Sequence, residues 1–199
     1  MTRFDVKGKY AQVELNNVAF RRDGRIEAQC KLGDGFDENV PAENGMILVV
    51  DKTTNTVNLP SDADDILPYA LHYSSEHMYD ERANSLGDFA LFPNTFLPRM
   101  GYLAVGDLFT TNCVCTNTET ENLLCETVKG VKVPSWTNVM KEANENGTSI
   151  FGIPSETGAI ELTTAAITDL KDATLVLKVV KAYTMPNGGP GLKFQVIKA

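Results

Sequence analysis

Two β-type runs, TLVLKVVKAYTM (174–185) and LKFQVI (192–197), flank the turn segment PNGGPG near the end of the chain. Branched and aromatic residues on either side of Pro, Asn and Gly fold back as an antiparallel hairpin, because the glycines supply the positive φ angles that a wide turn needs. The same grammar recurs upstream. In 101–134 (GYLAVGDLFTTNCVCTNTETENLLCETVKGVKVP), three short runs are punctuated by Gly-Asp, a Thr/Asn/Glu turn and Lys-Gly. The first holds Leu103, Val105, Leu108 and Phe109, the second Val114, Leu123 and Leu124, and the third Val128, Val131 and Val133.

Elsewhere the pattern is also strand and turn. Residues 11–20 and 25–32 alternate in polarity around Arg22-Asp23-Gly24, which predicts a hairpin. MILVV (46–50) is continuously apolar, as a strand covered on both faces would be, and Lys-Thr-Thr-Asn leads from it to a partner at 56–59. Asp62 to Asp65 follow Ser61 as if capping a helix, but Pro68 breaks it, so 66–74 reads as a strand. The 76–99 segment reads as a long loop pinned by buried rings, Phe89, Phe92 and Phe96. Trp136, Val139, Met140 and Ala143 fall at i, i+3, i+4 and i+7, with Ser135 placed to cap and Gly147 to stop, which predicts one short helix. Strands at 149–153 and 159–164 bring the count to nine to eleven.

Without alternating β and α units a doubly wound sheet is excluded. The expected fold is therefore all-β, mainly antiparallel, a β-barrel or β-sandwich with at most one short helix. Residues 1–10 read as an extended N-terminal arm and 11–199 as the β-rich domain, with 11–60 a candidate small hairpin subdomain.

Composition narrows the function. A net charge of −8 argues against a nucleic-acid partner, which requires clustered lysine and arginine. No apolar run is long enough for a membrane span, and the opening MTRFDVKGKY has no signal-peptide core, so synthesis in a cytoplasm and no membrane partner are expected. Charge is uneven: residues 1–31 carry seven Lys/Arg against four Asp/Glu, and 32–100 carry three against twelve. Such asymmetry suits docking between copies, although solvated faces of one domain explain it more simply.

Catalytic constellations are not evident. The two histidines lie in HYSSEH (72–77), one residue too long for the H-x-x-E-H zinc motif; on a strand His72, Ser74 and Glu76 share a face and His77 lies opposite. With these as the only imidazoles, a serine or cysteine triad is not expected. Asp64 with Asp65, and Glu119 with Glu121, sit in apparent turns where acids are ordinary. GGPG (188–191) lacks the P-loop Lys-Ser/Thr, and Asn146-Gly147-Thr148 is read as an accidental sequon. Cys113 and Cys115 share a strand face, and a hairpin near 119–121 would set Cys125 opposite Cys115; buried reduced thiols are favoured over a disulfide or a metal corner. No catalytic residue, cofactor or metal is assigned.

Three segments carry a resemblance: YALHYSSEHMYDERANSLGDFAL (69–91), PRMGYLAVGDLFTTNCV (98–114) and the terminal LVLKVVKAYTMPNGGPGLKFQVIKA. Together they resemble tailed-bacteriophage virion proteins, specifically the small β-rich head decoration or auxiliary (cement) proteins. The resemblance covers the second two-thirds of the chain and is one of texture and motif order, so no functional residue carries over. It implies a non-enzymatic structural subunit on the outer surface of a virion, with the major capsid protein and further copies of itself as partners. A tail or neck subunit is the nearest rival, and a carbohydrate-binding β-sandwich the rival from another class. The contacts expected of such a subunit are electrostatic at Arg3, Lys7, Lys9, Arg21 and Arg22, and apolar at Phe89, Phe92 and Phe96.

Overall fold

The computed structural model describes residues 1–61, 68–74, 86–119 and 122–199, and in them the chain is mostly strand. Numbered along the chain, eight strands form the larger sheet. Their spatial order is β1 (Thr2–Arg3), β12 (Val114–Thr116), β16 (Ile160–Thr163), β15 (Phe151–Pro154), β17 (Val176–Thr184), β18 (Pro190–Lys198), β11 (Leu108–Thr111) and β2 (Val13–Asn17). The smaller sheet runs β3 (Ile26–Glu27), β10 (Met100–Tyr102), β8 (Tyr69–His72), β6 (Ile47–Asp51), β7 (Thr56–Asn58) and β4 (Lys31–Leu32). Two ribbons complete it, β5 (Ala42–Glu43) with β9 (Ala90–Leu91) and β13 (Cys125–Val128) with β14 (Val131–Pro134).

Neither large sheet closes on itself, and both are mixed: β12 and β16 run parallel, as do β4 and β7. Parallel neighbours need a long crossover. For β12 and β16 the β13–β14 ribbon and the helix α2 (Trp136–Asn144) supply it. The described residues hold eighteen strands rather than nine to eleven, in part because five of them are two-residue pairings too short to leave an alternation in the sequence.

The C-terminal hairpin forms as its sequence predicts, pairing Leu177 with Val196 and Val179 with Phe194. So does β6 with β7, and MILVV is covered on both faces. Ile47 joins a core shared with Leu71, Phe109, Leu177 and Phe194, while Met46, Leu48 and Val50 join a second core with Phe36, Leu91, Met100, Cys113 and Cys115. The turn between β15 and β16 lies on this strand, the Gly158 carbonyl accepting from the Ile47 N–H at 2.8 Å. Helix α2 also matches: Ser135 Oγ accepts from the Asn138 N–H at 3.5 Å, and Trp136, Val139, Met140 and Ala143 face the first core. It ends at Asn144, whose side chain brackets Ala182, donating to its carbonyl at 2.8 Å and accepting from its N–H at 3.3 Å.

The predicted 11–32 hairpin does not form. β2 pairs with β11 and β3 with β10, so this segment passes from one sheet to the other. The reason is Phe20, which drives the expected strand end into a single helical turn, α1 (Ala19–Asp23), so as to bury its ring. That ring lies 5.1 Å from Tyr73 and against Gly101, where a Cβ would approach it to 2.5 Å. Asp107, from the far side of the chain, accepts the Ala19 N–H at 2.7 Å in place of a local cap. The hairpin expected near 119–121 is also replaced: β12 pairs with β1 and β16, and β13 with β14, so Cys125 does not face Cys115.

Candidate functional site

The basic residues singled out in the sequence separate into distinct roles. Arg3 is an internal strut. Strand β1 adds it to the edge of β12, where its guanidinium holds both carboxylate oxygens of Glu43 and lies 3.6 Å from Cys113 Sγ. Glu43 in turn accepts the Ala11 N–H at 2.6 Å. Part of the opposite charge in the first and middle sections is thus neutralised within one chain. The arm continues with Phe4, buried with its ring tilted against Trp136 at 4.9 Å, and the Trp136 Nε1 donates to the Asp5 carbonyl at 2.6 Å. Trp136 is therefore occupied and offers no sugar platform.

Lys7 and Lys9 are exposed. Lys7 lies over the β17–β18 turn, its Nζ 2.7 Å from where a Cβ on Gly188 would stand. Lys9 sits 5.0 Å above the Tyr10 ring, and the hydrogen bond and charge of that phenol hold it above the ordinary lysine value. Arg21 and Arg22 project from α1, Arg22 pairing with its neighbour Asp23 at 3.0 Å.

The three phenylalanines likewise differ. Phe89 packs on the second core. Phe92 meets Tyr10 edge-on at 6.3 Å, so the structure brings a predicted basic residue, Lys9, and a predicted ring into one cluster. Phe96 corrects the expectation of buried rings: it is 53% exposed beside Leu97 at 46%.

These elements border an open groove of about 690 Å³. Its floor is Phe36, Phe92 and Pro93, and its lips are Asp37 and Glu38 on one side and Asn94 and Thr95 on the other. Both lips are fixed by local turns. Asp37 Oδ1 accepts from the N–H groups of Asn39 and Val40 at 2.7 and 2.8 Å, and Thr95 Oγ1 donates to the Phe92 carbonyl at 2.6 Å. An apolar floor beneath two carboxylates suits an apolar, cationic segment. Phe36 was not singled out in the sequence, since it sits in a glycine- and acid-rich loop that shows no strand period.

The β13–β14 ribbon is the second exposed apolar feature. Lys129 and Gly130 both have positive φ, 50° and 82°, the primed turn whose twist matches a tight hairpin. Val128 pairs with Val131 and Glu126 with Val133 on one face, opposite the face that roots the ribbon through Cys125. Val128 and Val131 remain 46% and 62% exposed.

Buried polar groups are committed to structure. His72 Nδ1 faces the Glu43 carbonyl at 2.8 Å, which only accepts, so the ring proton lies there and Nε2 accepts from the Ser74 hydroxyl at 2.7 Å. A hydroxyl donating to imidazole is half of a nucleophile-activation pair, and here both residues are fully buried. Ser74 Oγ also accepts the Arg99 N–H at 2.7 Å. Glu27, buried, pairs with Lys52 and accepts the Gln29 N–H at 2.6 Å. All four cysteines are free thiols and buried, and burial pushes Cys113 up to about 12. Among the described residues no three His, Cys, Asp or Glu side chains gather as a metal site, and no helix is long and apolar enough to cross a membrane. Asp64, Asp65, Glu76, His77 and Glu121 lie outside the described residues.

The chain matches no family model, no curated protein and no solved structure.

Proposed function

We propose that this chain is a non-enzymatic structural subunit of a bacteriophage virion that attaches at repeated sites on the outer capsid and reinforces the shell. The observation that carries the reading is where the exposed apolar side chains lie. Phe96 and Leu97 stand beside the groove and Val128 and Val131 stand on a projecting ribbon, while Arg3–Glu43, His72–Ser74 and Glu27–Lys52 are used inside to hold loops in place. Adhesive features on a rigid frame suit a protein whose weak contacts are multiplied by the symmetry of a shell. The two open sheets serve in this reading as the layers of a sandwich, since Ile47 and Leu71 of one share a core with Phe109 and Phe194 of the other.

The test is the number of copies of this chain per major capsid protein in gradient-purified particles, by quantitative mass spectrometry. Hundreds of copies at a fixed ratio support the reading; a handful moves the chain to the neck or tail, and absence from particles discards it. Attachment itself is tested by neutralising Lys7, Lys9, Arg21 and Arg22 while leaving the structural Arg3 in place. Binding to bare heads weakens, most at low salt where exposed charges are least screened, and unchanged occupancy across a salt titration removes the electrostatic arm.

A further inference from the structure

We infer that the Phe36–Phe92 groove is the receptor for the β13–β14 ribbon of a second copy of this chain. The two surfaces match in chemistry. The ribbon presents Val128 and Val131 as an apolar tip with Lys129 at the turn between them, while Lys132 lies on the opposite face. The groove presents Phe36, Phe92 and Pro93 beneath Asp37 and Glu38, with Phe96 and Leu97 extending the apolar surface beyond Thr95. The ribbon carries one acid, Glu126, on the valine face toward its base, and Lys9, joined to Phe92 through Tyr10, lies across that phenol ring and interacts with Asp88. Valines enter the floor while Lys129 at the turn meets the acidic lip.

The ribbon does not fill its own groove. Its chain neighbours are the 122–124 turn and β1, and its valines stay exposed. Both elements are pre-shaped, the ribbon by its primed turn and the groove lips by their side-chain-locked turns, so docking orders little that is not already ordered. Ribbon and groove are different surfaces, so the contact is head-to-tail: it closes as a ring or extends along a repeated surface. It belongs to the isolated chain and does not depend on a shell, so its failure leaves the capsid-binding reading to the copy-number measurement.

Sedimentation of the full-length chain over a range of concentrations at low and high salt tests this. The chain associates, about tenfold more weakly at high salt or with either Lys129→Glu or Glu38→Lys, which leaves the lip-locking Asp37 in place. Combining both reversals in one chain restores association. Mixing a ribbon-reversed chain with a groove-reversed chain pairs reversed ribbon with reversed groove and wild-type ribbon with wild-type groove, and recovers association that neither shows alone. Val128→Ser with Val131→Ser also abolishes it, with circular dichroism showing the fold intact. A chain that stays monomeric at every concentration overturns the inference. So does association that both reversals leave unchanged, or a double reversal that fails to restore it.

Discussion

The molecule contains two hairpins built by nearly the same local rules and put to opposite uses. Strands β17 and β18 are nine residues each, joined by a glycine-rich turn, and flanked by β15 and β11. Their inward face, Leu177, Val179, Leu192, Phe194 and Val196, lies in the main core. Strands β13 and β14 are four residues each, joined by Lys129-Gly130, and pair only with one another. Val128 and Val131 stay 46% and 62% exposed. Local sequence makes a hairpin in both cases; what differs is whether another layer covers it, and a two-stranded ribbon without that layer contributes little to stability.

The largest expected effect lies in the covered hairpin. Phe194 is fully buried, 5.7 Å from Phe109, and a Cβ on Gly152 would come within 3.1 Å of its ring. Phe194→Ala leaves a cavity that this close-set frame cannot collapse, and lowers unfolding free energy by about 3–5 kcal/mol. Urea unfolding by fluorescence measures it; a loss under ~1 kcal/mol would mean that the two hairpins are not energetically distinct.

A smaller effect separates the fully enclosed part of the larger sheet from the ribbon by pH. Cys113 enters β12 with no exposure, and burial raises its thiol from 9.0 to about 12. The unfolded chain therefore loses this proton first as pH rises. The stabilisation from keeping the thiol neutral is complete below about 9 and is lost as pH climbs towards about 12. Stability of the wild type falls across that window, and Cys113→Ala, whatever packing it loses, falls less steeply. Parallel slopes in the two proteins would assign the alkaline loss to other groups.

What could be read from the sequence tracks how local the cause is. The β17–β18 hairpin, β6 with β7 and helix α2 each carry their period, turn or cap within one short segment, and each formed where expected. The 11–32 segment misled because Phe20 sits where alternation predicts a strand, yet its burial site against Gly101 and Tyr73 is set by residues far along the chain. The groove was half legible. Phe92 and Lys9 were picked out, but for a loop and an arm, and nothing in the sequence says that Tyr10 joins them or that Phe36 completes the floor. Arg3 looked like a free arm charge only because its partner Glu43 is forty residues away.

The smallest effect on folding is expected where the exposed chemistry is greatest. Val128 and Val131 keep 46% and 62% of their surface exposed in the isolated chain, so replacing both with serine gives up only part of their transfer energy, and the primed turn at Lys129-Gly130 keeps the ribbon's register. Val128→Ser with Val131→Ser lowers unfolding free energy by about 1 kcal/mol. The same urea titration used for Phe194→Ala reads it directly. A loss of ~2 kcal/mol or more would show that the valines are already covered by their own chain, erasing the contrast between the hairpins. An effect this small on folding leaves these two residues with little internal role, and ties their exposure to what the ribbon meets outside the molecule.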